Sequence, residues 1–278
     1  MTTRWRAVLL LTLFSTSCQA LTVFDDLGRK VELKAPAQRI LTLSPHATEM
    51  ILVLDGADRL VAIAPFFDYP ESLSHIPRIN SLGGLDREYL LSLRPDLVIA
   101  WASGNRASDL AWLDSENIPV FTSEPSSLSV IGKTLEKLGV LLGMPDKGLL
   151  ASQRFANRLQ HACPSPHSPP VRVYYNIWPK PPMTIGGQHW LNEVLERAGM
   201  KNVFDDIPRS IITVSPESLL SRPIEQVVSP PGSVPAWLQQ LPLIESSPQL
   251  SRPGPRIVEG LSKLCEQLSS QYHQGTAD

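Results

Sequence analysis

Short apolar runs alternate with amphipathic segments twice along this chain, and two consecutive helical segments interrupt the alternation once. Few folds satisfy that pattern. In the first half, "RILTL" (39–43), "RLVAIA" (59–64), "DLVIA" (96–100) and "IPVFTS" (118–123) read as strands. Between them "SPHATEMILVL" (44–54), "DREYLLSL" (86–93) and "SDLAWLDSEN" (108–117) read as helices, with Ser44 and Asp86 as N-caps and Pro45 in a first turn. Strand, helix, strand in alternation predicts a parallel sheet with helices on its faces. A β-rich piece, "LTVFDDLGRKVEL" with Gly28 at its turn, comes before it.

From Ser126 the pattern changes. "SSLSVIGKTLEKLGVLLG" and "MPDKGLLASQRFANRLQHA" are helical with no strand between them, and "CPSPHSPP" (163–170) then breaks the chain. The alternation resumes at "VRVYYNIW" (171–178). The halves echo each other: "EYLLSLRPDLVIAW" from Glu88 and "ESLLSRPIEQVVSPP" from Glu217 each hold a Leu-Leu-Ser helix, an Arg-Pro break and a Val-rich strand. The expected architecture is therefore α/β, with two lobes at 21–125 and 171–278. A helical connection at 126–170 joins them, and its helix at 145–162 bridges the lobes.

The first twenty residues stand apart. Arg4 and Arg6 precede an apolar run from Ala7 to Phe14, and small and polar residues follow up to Ala20. That is the layout of a secretory signal, with cleavage expected after Ala20. Lipid attachment at Cys18 is the weaker alternative, because Ser15 stands where such sites usually carry leucine. Export to an oxidising compartment would leave Cys163 and Cys265, either paired or as two free thiols. A formal net charge of −2 without a long basic run argues against a nucleic-acid partner.

Chemistry is hard to find. No G-x-S-x-G elbow, phosphate-binding loop or G-x-G-x-x-G occurs. None of His46, His75, His161, His167, His189 and His273 stands at metal-ligand spacing to another, so neither catalysis nor a resident metal is expected. Aromatics instead gather at strand ends: Phe66, Phe67 and Tyr69 after "RLVAIA", Trp101 after "DLVIA", Trp178 after "VRVYYNI". In open α/β sheets ligands sit outside the carboxyl ends of the strands, so these rings are placed to line a cleft for a large, flat, apolar ligand.

"RILTLSPHATE", "FFDYP", "LRPDLVIAW", "YYNIWPKPPMTIGGQHWLNEVLERAGMKNVFDD" and "RPGPRI" together resemble the periplasmic cobalamin-binding proteins of ABC importers, within the larger group of siderophore, haem and cobalamin receptors. The resemblance runs from about residue 22 to 268. It implies two α/β lobes joined by one long helix and a monomeric carrier. The carrier would hold cobalamin as cargo and deliver it to an inner-membrane ABC permease. It places Tyr69, Trp101 and Trp178 in the pocket, Phe66 beside them, Pro45 and His46 on the first loop and Arg252 on the loop before the last helix. His46 is read as a residue that hydrogen-bonds its loop, with coordination of cobalt or haem iron as the sharper alternative. The resemblance puts permease-docking glutamates at Glu88 and Glu196, with Glu49 and Glu193 as the nearest substitutes. Haem or a ferric siderophore is the alternative cargo, and a hydrolase or corrinoid-modifying enzyme is the least favoured reading.

The chain departs from the pattern in places. Phe66 stands where a small or polar residue is commoner, and "DDIPRSIITVS" lacks a tryptophan that some relatives carry. Ala198 replaces a cysteine that some relatives pair with the position of Cys265, so a disulfide here would need Cys163 as its partner.

Overall fold

The computed structural model describes residues 20–65, 67, 70–80, 83–234 and 238–274. The expected signal segment up to residue 19, Cys18 within it, Phe66 and Tyr69 lie outside the described residues.

The chain opens with an antiparallel hairpin, β1 (Leu21–Phe24) and β2 (Lys30–Leu33), turning through Gly28 at φ 77°. There follow β3 (Ile40–Thr42), α1 (Pro45–Val53), β4 (Leu60–Ala62), α2 (Arg87–Ser92), β5 (Leu97–Trp101), α3 (Ala107–Ser115) and β6 (Val120–Ser123). The four strands β4-β3-β5-β6 form one all-parallel sheet. The caps read from the sequence are in place: the Ser44 hydroxyl accepts from the Ala47 N–H at 3.4 Å, and the Asp86 carboxylate from the Tyr89 N–H at 3.0 Å.

Two helices then pack side by side, α4 (Leu128–Leu141) and α5 (Pro145–His161), and α5 carries the chain across to the second lobe. That lobe holds β7 (Val171–Pro179), β8 (Pro182–Ile185), α6 (Leu191–Arg197), β9 (Met200–Asn202), β10 (Ile211–Thr213), α7 (Pro216–Leu220), β11 (Gln226–Ser229), β12 (Leu243–Glu245) and α8 (Ile257–Gln274). Here the strict alternation fails. β7 turns back at residues 179–182 into an antiparallel β8, which pairs with an antiparallel β10, while β9, β11 and β12 keep the parallel sense.

The period of two along each strand divides the interior. Ile40, Leu97 and Ile99 face a core shared with α4, α5 and α8; Leu41, Val98 and Ala100 face a separate cluster. In the second sheet Val171, Val173, Tyr175 and Val228 enter the same shared core, while Tyr174 and Val227 face a third cluster. One apolar interior thus runs through both lobes. Cys163, just past α5, is joined to Cys265 of α8, with Cα atoms 5.8 Å apart and 102 residues between them in sequence.

Candidate functional site

A cavity of about 470 Å³ lies between the lobes, outside the carboxyl ends of β5, β6, β7 and β11. The N-terminal lobe supplies Trp101, Ser103, Glu124 and Pro125 from the ends of β5 and β6. Trp101 is half-buried, and its position is enforced by the turn that follows it. The Asn105 carboxamide accepts from the Trp101 N–H at 2.7 Å and donates to the Leu43 carbonyl at 3.0 Å. Gly104 lies directly against the indole, where any Cβ would collide with the ring, so the turn admits only glycine while Trp101 keeps this rotamer. Glu124 is held as firmly: its carboxylate accepts from the Ser103 N–H at 2.8 Å and the Ser103 hydroxyl at 2.9 Å.

His46 stands behind Trp101. It is 1 % exposed, meets the indole edge-on at 5.3 Å, and its Nε2 lies 3.3 Å from the Ser123 hydroxyl. Burial pushes its pKa down to about 3, so the ring is neutral. It supports the tryptophan from beneath and does not line the cavity, and neither does Pro45, which opens α1.

The C-terminal lobe supplies the larger wall: Tyr175, Asn176 and Ile177 at the end of β7, Pro230 after β11, and two loops. Asn176 is fixed by donating to Ser229 Oγ at 2.9 Å and to the Ser233 carbonyl at 2.8 Å. Burial raises the Tyr175 phenol to about 12, partly offset by a hydrogen bond with Ser246. The first loop brings His189 and Trp190 to the start of α6. Burial lowers the His189 pKa to about 4. The second loop contributes Ser251 and Pro253, with Arg252 between them turned away. Arg252 approaches Glu49 of α1 at 3.9 Å, and Gly254 packs on Glu49 and on His46. Glu49 is 2 % exposed. Burial raises its pKa to about 7 against the opposing charges of Arg256 and Arg252.

Trp178 is not among the cavity residues. The strand pairing shifts register between Asn176 and Trp178, and Trp178 stands past the cavity while Ile177 lines it; Trp178 is 58 % exposed and its indole N–H donates to the Lys180 carbonyl at 3.0 Å. The expected glutamates separate as well. Glu88 is exposed in the first turn of α2, at the cleft edge of the sheet, where a crossover helix begins. Glu196 is exposed at the far end of α6, grouped with Pro170, Met200 and Lys201 at the amino ends of β7 and β9, the opposite edge from the cleft. The structural counterpart of Glu88 is Glu217, in the first turn of α7. The two helices match in detail: Leu90 and Leu219 are buried, Leu91 and Leu220 are exposed, and Ser92 and Ser221 each donate to the carbonyl three residues back. Glu49 is buried, and Glu193 accepts from the Leu128 N–H at 3.1 Å at the start of α4.

Sequence reasoning missed Glu124, His189 and Trp190. The signal for the last two was "GGQHW", two glycines and two rings directly before a helix. Nothing in the sequence marked Glu124, whose position depends on Ser103 in the turn after the neighbouring strand β5. No cluster of His, Cys, Asp or Glu among the described residues could hold a metal ion.

A cleft of this kind, at the strand ends of two α/β lobes that share a core, defines a two-lobed solute-binding protein. The chain belongs to the periplasmic binding protein family, whose model matches residues 40–231. It is 30% identical to the vitamin B12-binding protein of Vibrio vulnificus (strain YJ016), over 94% of this chain and 96% of that one. A vitamin B12-binding protein of Yersinia pestis (strain Pestoides F) is 32% identical, over 84% of this chain and 87% of its own. Among solved structures, the periplasmic vitamin B12 binding protein BtuF of Vibrio cholerae superimposes with a TM-score of 0.75 at 30% identity, over 84% of this chain and 97% of that one. The haem-binding protein HmuT superimposes equally well, at 0.75 over 96% of both chains, but at 17% identity it shares the fold alone.

Proposed function

We propose that the chain is a periplasmic carrier that captures cobalamin or a related corrinoid in the cleft and delivers it to an inner-membrane ABC permease. One observation carries the choice of cargo. Among the described residues lining the cavity there is no arginine or lysine, and the single carboxylate, Glu124, is already engaged by Ser103. A haem or a ferric siderophore brings carboxylates or other anionic groups that call for arginine or lysine. A corrin brings a broad apolar face and a rim of amides, which suit Trp101, Tyr175, Trp190 and the neutral polar groups between them. The relatives of 30% identity and above carry vitamin B12 in their names, which supports the same reading. Cleavage near Ala20 would place the mature chain in the periplasm.

Titration of the purified mature protein by calorimetry with cyanocobalamin, haemin and a ferric siderophore tests the reading. Heat with cyanocobalamin is expected; no heat with any corrinoid overturns it.

Docking on the permease is assigned to the cleft edge of both lobes, through Glu88 of α2 and Glu217 of α7. Their equivalence under the internal repeat supports this pair over Glu88 with Glu196, because a two-lobed carrier meets a two-fold permease with matching surfaces.

A further inference from the structure

We propose that His189 is a specificity-determining hydrogen-bond donor of the cleft, which presents Nε2–H to an amide carbonyl on the rim of the bound corrinoid. The inference rests on the corrinoid reading and adds to it a residue that neither the sequence motifs nor the resemblance had marked.

The backbone around His189 is pinned on both sides. Its N–H donates to the Gly186 carbonyl at 3.3 Å, and its own carbonyl accepts from the Asn192 N–H at 3.0 Å. The ring lies against Trp190, with centroids 5.1 Å apart and planes 35° apart. Within that frame Nδ1 accepts from the Leu191 N–H at 3.1 Å, satisfying a donor that the start of α6 would otherwise leave unpaired. A neutral imidazole that accepts at one nitrogen carries its proton on the other. The tautomer is therefore set by the main chain: Nδ1 bare, Nε2 protonated. Burial keeps the ring in this neutral state down to about pH 4. No group among the described residues hydrogen-bonds Nε2, and the side chain lines the cavity.

The same geometry decides between two uses of a histidine in such a cleft. Coordination of cobalt or iron needs a lone pair at Nε2. Supplying it would move the proton to Nδ1, directly against the Leu191 N–H. His189 is thus built to read a carbonyl oxygen and not a metal, a choice that favours amide-rimmed cargo over haem.

Two variants separate the nitrogens. His189→Asn keeps an oxygen near the Nδ1 position, able to accept from Leu191, but has nothing at Nε2. His189→Gln reaches the Nε2 position with an N–H. In calorimetric titration with cyanocobalamin, whose axial positions are both filled, His189→Asn should bind about 3- to 10-fold more weakly and His189→Gln within about twofold of the native protein. Equal affinity of all three overturns the proposal. Aquacobinamide, with exchangeable axial positions, should bind without acquiring the absorption spectrum of a nitrogen-ligated cobalt. Such a spectrum in the native protein and its loss in His189→Asn would make the residue a metal ligand instead. If the native protein binds no corrinoid, the functional reading fails. The histidine is then judged by nitrogen-15 NMR, where a protonated Nδ1 in the free protein overturns the assigned tautomer.

Discussion

The two lobes build their halves of the cleft differently. The N-terminal lobe is an all-parallel sheet, and its wall is the ends of two adjacent strands, with Trp101 locked by a hydrogen bond inside its own turn and Glu124 by hydrogen bonds from Ser103 across the two strand ends. The C-terminal lobe breaks the parallel order after β7, adds the antiparallel β8 and β10, and spends two loops on its wall, one carrying His189 and Trp190 and one carrying Ser251 and Pro253. The first wall is a rigid platform for an apolar face. The second brings its polar groups, Asn176, His189, Ser210 and Ser251, from several separate segments. A core that runs unbroken through α4, α5 and α8 keeps the two walls in register, so loading is expected to need little movement between lobes.

The largest expected effect concerns what the lobes share. If both lobes dock through equivalent helices, Glu88→Arg with Glu217→Arg abolishes cobalamin uptake by cells while leaving corrinoid binding by the purified protein intact. Glu88→Arg with Glu196→Arg should retain far more uptake. The reverse ranking would return the docking role to Glu196 and break the proposed equivalence of α2 and α7.

Next comes the link that ties the helical connection to the second lobe and has no counterpart among the described residues of the first. Reduction, or Cys163→Ser with Cys265→Ser, should lower unfolding stability by about 2–4 kcal/mol, because the bond closes a loop of 102 residues between α5 and α8. Denaturant titration measures it, and affinity for cyanocobalamin should hardly change.

The walls themselves are compared by removing one ring at a time. Trp101→Ala should cost about 1–3 kcal/mol of corrinoid binding, the value of a large buried apolar side chain. Trp178→Ala should cost less than about 0.5 kcal/mol, as expected for an exposed residue outside the cavity. Equal losses would place Trp178 on the ligand and redraw the second wall.

The smallest effect is on stability against pH. His46 in the first lobe and His189 in the second have pKa values lowered by burial to about 3 and about 4, so below about pH 6.5 the unfolded chain takes up protons that the fold refuses. Glu49, raised to about 7, works in the opposite sense: between about pH 7 and 4.5 the fold holds a proton that the unfolded chain releases. Two histidines against one glutamate leave a net loss of roughly 1.4 kcal/mol per pH unit between pH 6 and 5. Glu49→Gln removes the opposing contribution and should steepen the fall in denaturation midpoint over that range. A slope that becomes shallower would show that Glu49 is not held protonated.

The sequence by itself determined the frame. Apolar runs with a period of two, capped amphipathic helices and one break in their alternation were enough for two α/β lobes and a helix crossing between them, because these signals are local and each element carries its own. Trp101 was legible for the same reason: a strand of five residues ends on it, and the turn after it contains the glycine its ring requires. The tertiary structure decided what depends on residues far apart. It turned Trp178 outward because β7 runs on past the cavity into a hairpin with β8. It drew Arg252 to Glu49, a partner on the other lobe. Glu196 went to the far edge of its sheet because α6 begins at the cleft and runs away from it. A strand's pattern fixes which side chains share a face, but which face meets a ligand is set by the strands and loops packed beside it.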